Sequence, residues 1–112
     1  NAFRTPRGNT SVSVTAMEPG MVTSDEPGLY IEGKYGIRLE SLIECVEEGT
    51  GVYGFRPLTF VPFDRDAIDE KLLNFAEKAI LNTYHRQVCD RIGLCLNKEE
   101  YDWLCEVTRP IL

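Results

Sequence analysis

Apolar and polar residues alternate in the first half of the chain as they do in half-buried strands. The alternation is clearest from Thr10 to Ala16, where successive side chains would point to opposite faces of a sheet. Met21 to Glu26 and Ile37 to Leu42 are also extended, and a stretch rich in proline and glycine lies between them. Because such residues favour turns, we expect these two segments to form the arms of a hairpin.

The extended pattern continues beyond this hairpin. The second arm runs on to Val46, and Val52 to Phe63 is extended again, with interruptions at Pro57 and Pro62. We therefore predict a small, curved, mainly antiparallel sheet that spans about residues 10–60.

The hydrophobic period changes to that of a helix after Asn74. Asn74 and Glu77 have the spacing of a capping box, with asparagine in place of serine or threonine, and Gly93 is a candidate end of the helix. The predicted packing stripe recurs at steps of four residues: Ala76, Ile80, Tyr84, Val88 and Ile92.

A second capping pattern opens a shorter helix. Asn97 and Glu100 repeat the spacing, and Tyr101, Leu104 and Cys105 would lie on one side of a helix that ends before Pro110. The predicted fold class is α+β, with the sheet first and two or three helices after it.

Two glutamates occupy special positions in the predicted hairpin. Glu26 and Glu40 lie equally far from Gly33, so a hairpin without a bulge places them opposite each other, with Cβ atoms about 5 Å apart. Two like charges at this distance call for a counter-charge. Arg38, on the same strand face as Glu40, is one candidate, and a divalent cation held by both carboxylates is another. An ordinary hairpin with two exposed glutamates has the same spacing.

The residues around these glutamates resemble a known family. The run from Glu26 to Tyr30 (Glu-Pro-Gly-Leu-Tyr) and the run from Gly36 to Glu40 (Gly-Ile-Arg-Leu-Glu) are similar to the last two metal-ligand motifs of the pita-bread metallopeptidases. This family includes methionine aminopeptidase, prolidase, creatinase and aminopeptidase P. The resemblance implies that the sheet is the C-terminal part of a pita-bread fold.

The resemblance continues past the sheet and narrows the family. Gly54 to Phe63 is similar to the segment that follows the peptidase domain in larger aminopeptidase P proteins. We therefore expect an irregular arm over residues 1–9, peptidase strands over 10–50 and an aminopeptidase P-type extension over 51–112. Arg56 stands where many relatives have glutamate, and Ser41 where asparagine commonly follows the last ligand.

The family's chemistry depends on two divalent metal ions held by two aspartates, one histidine and two glutamates. The resemblance implies that Glu26 is a terminal ligand of one metal and that Glu40 bridges both. It implies that Arg38 orients Glu40 without touching the metals. The expected reaction is removal of an N-terminal residue that precedes proline. Manganese is the expected metal, with zinc or cobalt as alternatives, and the expected assembly of the whole enzyme is a homodimer.

Only two of the family's metal ligands have counterparts in this chain, Glu26 and Glu40. The sequence therefore resembles the C-terminal piece of a longer enzyme, and we expect the piece alone to be inactive. Two alternatives remain open. The whole protein could be a pita-bread binding module that does not catalyse a reaction, or a dipeptidase of the prolidase type.

Charge and hydropathy limit the possible partners. The net charge is −6 and the pI about 4.8, which argues against nucleic acid and anionic membranes, because both bind basic surfaces. No apolar run approaches the roughly 20 residues of a membrane span. We therefore expect a cytoplasmic protein. The partner that the family resemblance implies is a peptide with proline at its second position.

The chain has four cysteines and one histidine, but no Cys-x-x-Cys pair. Short paired spacing is typical of structural zinc sites, so we expect small, reduced, partly buried cysteines. His85 and Cys89 lie four residues apart and could form half of a metal site on a helix. The favoured interpretation is a packed or hydrogen-bonded histidine. The cysteines are Cys45, Cys89, Cys95 and Cys105.

Overall fold

A computed structural model describes residues 15–112. The predicted arm over residues 1–9 and most of the strand predicted from Thr10 to Ala16 lie outside this range. Thr15 and Ala16, which lie within it, are not part of a strand. The chain divides into two compact units after Thr59, and each unit is described separately.

The first unit consists of antiparallel strands. β1, β4 and β5 form a three-stranded sheet in the order β1-β4-β5, and β2 pairs with β3 in a two-stranded sheet. The predicted single sheet is thus two sheets in the described part of the chain. The strands are β1 (Val22–Asp25), β2 (Gly28–Ile31), β3 (Tyr35–Arg38), β4 (Ser41–Gly49) and β5 (Val52–Pro57).

One hairpin register runs through both sheets. In the β1-β4 and β2-β3 ladders, each residue pairs with one that lies equally far from Gly33. Gly33 has a positive φ of 71° in the turn, a conformation that glycine adopts without steric cost. The ladders are interrupted at Pro27, whose carbonyl accepts from the Leu39 N–H (3.1 Å) but which has no N–H to donate in return. The proline therefore divides one continuous hairpin into two sheets.

The pairing of β4 with β5 gives Arg56 a partner. Arg56 lies opposite Glu44, and its Nη2 donates to Glu44 Oε2 (2.5 Å). An exposed pair of this kind contributes about 0–1 kcal/mol to stability. Arg56 thus forms a cross-strand ion pair in this chain. Ser41 lies opposite Asp25.

The second unit contains two α-helices, α1 (Phe75–Ile92) and α2 (Lys98–Val107), and two short 3₁₀ turns, Arg65–Ala67 and Gly93–Cys95. Both predicted capping boxes are present, with Asn74 and Asn97 as the N-caps and reciprocal bonds to the glutamates three residues later. Gly93 is the C-cap of α1, as predicted. The α+β class is therefore confirmed.

The predicted stripe on α1 was wrong for its first half. Ile80 is 70% exposed and Ala76 is also exposed, whereas His85 and Val88 are fully buried. Steps of four residues advance about 40° around a helix of 3.6 residues per turn, so five such positions cannot share one face. The buried or half-buried positions follow a three- and four-residue alternation instead: Lys78, Leu81, Asn82, Tyr84, His85, Val88, Cys89 and Ile92.

The core of the second unit is small. Leu104 and Ile111 are its other apolar members, and Asn82 holds the segment after α2 by donating to the Ile111 carbonyl (2.9 Å) and accepting from the Ile111 N–H (2.8 Å). On α2 only Leu104 of the three predicted packing residues is buried, since Tyr101 and Cys105 are exposed. None of the helices in residues 15–112 is long and apolar enough to span a membrane.

Candidate metal-ligand site

Glu26 and Glu40 face each other at the point where the hairpin passes from one sheet to the other. The pairs on either side of them are Asp25 with Ser41 and Gly28 with Arg38. The Leu39 N–H donates to the Pro27 carbonyl (3.1 Å) and the Cys45 N–H to the Met21 carbonyl (2.8 Å), so the odd-numbered pairs of this hairpin are the hydrogen-bonded ones. Glu26 and Glu40 therefore form a non-hydrogen-bonded pair, the type in which facing Cα atoms are only about 4.5 Å apart.

Arg38 lies between the two carboxylates. Its Nη1 is 3.2 Å from Glu26 Oε2, and its Nε is 3.9 Å from Glu40 Oε2. The three side chains remain 42–53% exposed, so each ion pair contributes about 0–1 kcal/mol. Arg38 is thus the counter-charge of both glutamates in this structure.

Ser24 holds the other oxygen of Glu26. Its hydroxyl donates to Glu26 Oε1 at 2.6 Å. Ser24 shares the strand face of Glu26 because the two lie two residues apart. Ser24 was not among the site residues predicted from the sequence, although this alternation could have pointed to it.

Tyr30, the last residue of the first motif, lies on the same face as Glu26. Its position there was not predicted from the sequence. Its ring covers the backbone of two glycines: a Cβ on Gly28 would lie 2.6 Å from the Tyr30 hydroxyl oxygen, and one on Gly36 would lie 2.7 Å from Cδ1. The hydroxyl thus reaches back along the strand toward Glu26. Both glycines are needed for this position, because a Cβ on either would occupy space that the ring takes up.

We expect Gly36→Ala to displace Tyr30 from the site. The added Cβ would meet the base of the ring, which cannot move aside as easily as the hydroxyl, so the χ1 rotamer of Tyr30 should change. Proton NMR of the Tyr30 ring measures this. Gly49→Ala is the matched control, since nothing lies within 4 Å of a Cβ there. Unchanged Tyr30 shifts in Gly36→Ala would contradict the described packing.

His85 and Cys89 do not form half of a metal site. His85 is fully buried, and its Nε2 accepts from the Phe63 N–H (3.1 Å), while Cys89 Sγ lies 2.8 Å from Thr108 Oγ1. Burial, and secondarily the positive charge of Arg65, lowers the pKa of His85. The interpretation of His85 as a packed and hydrogen-bonded histidine is confirmed.

The cysteines are all free. Cys45 is buried and Cys89 half-buried, as expected, but Cys95 and Cys105 are exposed, so the prediction of partial burial was wrong for these two. Cys95 ends the 3₁₀ turn after α1, and Cys105 lies on the solvent-exposed side of α2.

The donor set suits part of a divalent metal site. Hard carboxylate oxygens are ligands that Mn²⁺ and similar ions accept, and the facing pair on two adjoining strands provides them from both sides. Within residues 15–112 there is no group of three or more His, Cys, Asp or Glu side chains that could hold a metal ion. Among the described residues, Glu26 and Glu40 are therefore the facing carboxylates that a divalent metal site could use.

The antiparallel strands, the two helices and the glutamate pair define a class of protein, the pita-bread metallopeptidases. Residues 3–47 match the metallopeptidase family M24 and residues 51–111 match the C-terminal region of peptidase M24. This chain belongs to the peptidase M24 family.

Several relatives carry the name Xaa-Pro aminopeptidase. Human Xaa-Pro aminopeptidase 2 is 39% identical in an alignment of length 104 that covers 86% of this chain and 15% of that protein. Protein pid-5 of Caenorhabditis elegans is 37% identical in an alignment of length 117 that covers 96% of this chain and 11% of the relative. The chain thus spans less than a fifth of the length of these relatives.

A solved structure shares the fold. The X-prolyl aminopeptidase of C. elegans, described as a cytosolic enzyme with a di-nuclear active site, has a TM-score of 0.74 and 35% identity to this chain. The match covers 85% of this chain and 17% of the other. The fold predicted from the motifs, the C-terminal part of a pita-bread fold followed by helices, is confirmed.

Proposed function

We propose that this chain is the C-terminal piece of a dinuclear-metal Xaa-Pro aminopeptidase, which removes an N-terminal residue preceding proline from a peptide. The observation that carries the proposal is the placement of Glu26 opposite Glu40, with Arg38 in contact with both. The names of the relatives and the di-nuclear site of the C. elegans enzyme support it.

Each residue has a proposed role. Glu26 is a terminal ligand of one metal, and Glu40 is the ligand shared by both. Arg38, which reaches both carboxylates in this structure, orients Glu40 and offsets negative charge once the metals are in place. Two bound divalent metals would lower the pKa of a bridging water and polarise the scissile carbonyl. The chain's own contribution is to present two carboxylates on strands whose register is set by the hairpin.

Further properties of the whole enzyme are part of the proposal. Its metals are manganese, with zinc or cobalt as alternatives, and it acts in the cytoplasm as a homodimer on peptides with proline at the second position. Residues 10–50 belong to the peptidase domain and residues 51–112 to the C-terminal extension. The boundary falls in the turn between β4 and β5.

Two other functions compete with this proposal. The first is a binding module that does not catalyse a reaction. It is considered because the name of the relative pid-5 states no enzymatic activity. Retention of Glu26, Arg38 and Glu40 favours the enzyme, since a binding module has no need of paired carboxylates. A dipeptidase of the prolidase type is the other, and the match of residues 51–111 to the C-terminal region of peptidase M24 favours the aminopeptidase P type.

Titration of Mn²⁺ into the 112-residue chain tests the site. We expect weak binding, because two carboxylates leave most coordination positions to water. The double variant Glu26→Gln, Glu40→Gln should abolish it, because amide oxygens carry no charge. The same chain should not hydrolyse a peptide with proline at its second position. Isothermal titration calorimetry measures the binding.

A second double variant loses the same charge at other positions, and it shows whether the loss of any two negative charges is enough to weaken Mn²⁺ binding. Glu18→Gln, Glu32→Gln removes two exposed carboxylates outside the site and should bind Mn²⁺ like the unsubstituted chain. Binding that survives in the Glu26, Glu40 double variant would place the metal elsewhere and overturn the assignment. If neither protein binds, the assignment applies only to the longer enzyme.

A further inference from the structure

We propose that Ser24 is a positioning residue for Glu26, an inference that rests on the proposed metal site. The Ser24 hydroxyl donates to Glu26 Oε1 at 2.6 Å, while Arg38 Nη1 contacts the other oxygen, Oε2, at 3.2 Å. The two oxygens of Glu26 therefore have separate partners. Ser24 fixes the orientation of the carboxylate before any metal binds.

The two partners differ in what happens when a cation arrives. Arg38 also reaches Glu40, so its guanidinium lies between the carboxylates, where a positive ion would compete with it. Ser24 is neutral, lies in β1 two residues before Glu26, and contacts Oε1 rather than the oxygen that Arg38 contacts. A carboxylate oxygen has two lone pairs, so Oε1 can accept the hydrogen bond of the Ser24 hydroxyl and still coordinate a metal. Ser24 is thus the partner that remains when Arg38 gives up Oε2.

The backbone keeps Ser24 in place. Ser24 lies in β1, where it pairs with Leu42 on the neighbouring strand β4, and it is half-buried. Glu26, by contrast, follows the end of β1, beside a proline that interrupts the ladder. A side chain anchored in the sheet therefore steadies a ligand that lies just outside it.

Two variants and one control test the inference in the 112-residue chain. Ser24→Ala removes the hydroxyl, and Ser24→Thr keeps it. Thr23→Val is the matched control, because Thr23 is a half-buried hydroxyl residue on the same strand whose side chain lies on the opposite face. Far-UV circular dichroism should be the same for all of them.

The first readout needs no metal. Three-bond NMR couplings report the χ1 rotamers of Glu26, and we expect one dominant rotamer in the unsubstituted chain, in Ser24→Thr and in Thr23→Val. Ser24→Ala should show averaging over several rotamers. Equal Glu26 couplings in Ser24→Ala and the unsubstituted chain would overturn the inference, whatever the metal binding.

The second readout is the affinity for Mn²⁺. Ser24→Ala should weaken binding by about tenfold, the lower end of the range for residues that hold a metal ligand, and Ser24→Thr should restore it. If Ser24→Ala binds normally while Glu26→Gln, Glu40→Gln does not bind, the metal site stands and the role of Ser24 falls. If that double variant binds as well as the unsubstituted chain, the metal site itself falls.

Discussion

Replacing His85 with alanine is expected to destabilise the second unit, the helical unit over Phe60–Leu112, by about 3 kcal/mol. The substitution removes the acceptor of the Phe63 N–H, and an unsatisfied buried donor costs about 1–3 kcal/mol. It also leaves a void beside the rings of Phe63 and Tyr84, whose centroids lie 6.3 Å and 6.0 Å from that of His85, and voids of this kind add to the cost. Since small domains are stable by about 5–15 kcal/mol, the loss is large.

Chemical denaturation followed by far-UV circular dichroism measures this effect, because both described α-helices belong to this unit. His85→Gln should lose less than His85→Ala, since its amide oxygen can accept the Phe63 N–H. Arg86→Ala, at the exposed neighbouring position, should change stability by no more than about 0.5 kcal/mol. A loss in His85→Ala no greater than in Arg86→Ala would contradict the described core.

The helical unit should also become less stable as the pH falls below about 6.5. In the folded chain Nε2 of His85 accepts a hydrogen bond, so the neutral ring carries its proton on Nδ1, and a second proton would point at the Phe63 N–H. Burial, and then Arg65, lowers the pKa of His85 below its usual 6.5. Between the folded and unfolded pKa values the unfolded chain therefore binds more protons.

The sign of the effect follows from that difference. The contribution of neutral His85 to the free energy of unfolding is complete above the pKa of His85 in the unfolded chain. It is lost as the pH falls toward the lower pKa of His85 in the folded chain. Each unit by which the pKa is lowered corresponds to about 1.4 kcal/mol. His85→Gln removes the titrating group, so its unfolding free energy should vary less across this range. If the unfolding free energy of the unsubstituted chain and that of His85→Gln vary identically with pH, His85 does not cause the acid sensitivity.

The positions of the two glutamates could be predicted from local sequence. Glu26 and Glu40 lie symmetrically about Gly33, and a tight turn at that glycine leaves only one register in which both arms pair fully. Whether a metal or Arg38 would balance their charge could not be decided, because a long arginine side chain has several rotamers that reach different partners. The hydrogen bond from Ser24 to Glu26 was missed for a similar reason, since a hydroxyl on a strand has several possible acceptors.

The helices show the same division. The capping boxes of α1 and α2 depend on residues only three positions apart, so Asn74 and Asn97 predicted them correctly. The buried face of α1 was predicted wrongly for Ala76 and Ile80, because several apolar stripes fit one helix.

By itself, the sequence determined the hairpin symmetry, the helix caps and the motifs that identify the M24 family, because each depends on residues close together in the chain. Only the tertiary structure decided that His85 is buried, that Cys95 and Cys105 are exposed, and that Ser24 and Arg38 divide the oxygens of Glu26. The burial of His85 and the exposure of the two cysteines depend on how separate elements pack together, and the contacts of Glu26 depend on which rotamers Ser24 and Arg38 adopt. Free energies of about 1 kcal/mol per contact decide among the alternatives.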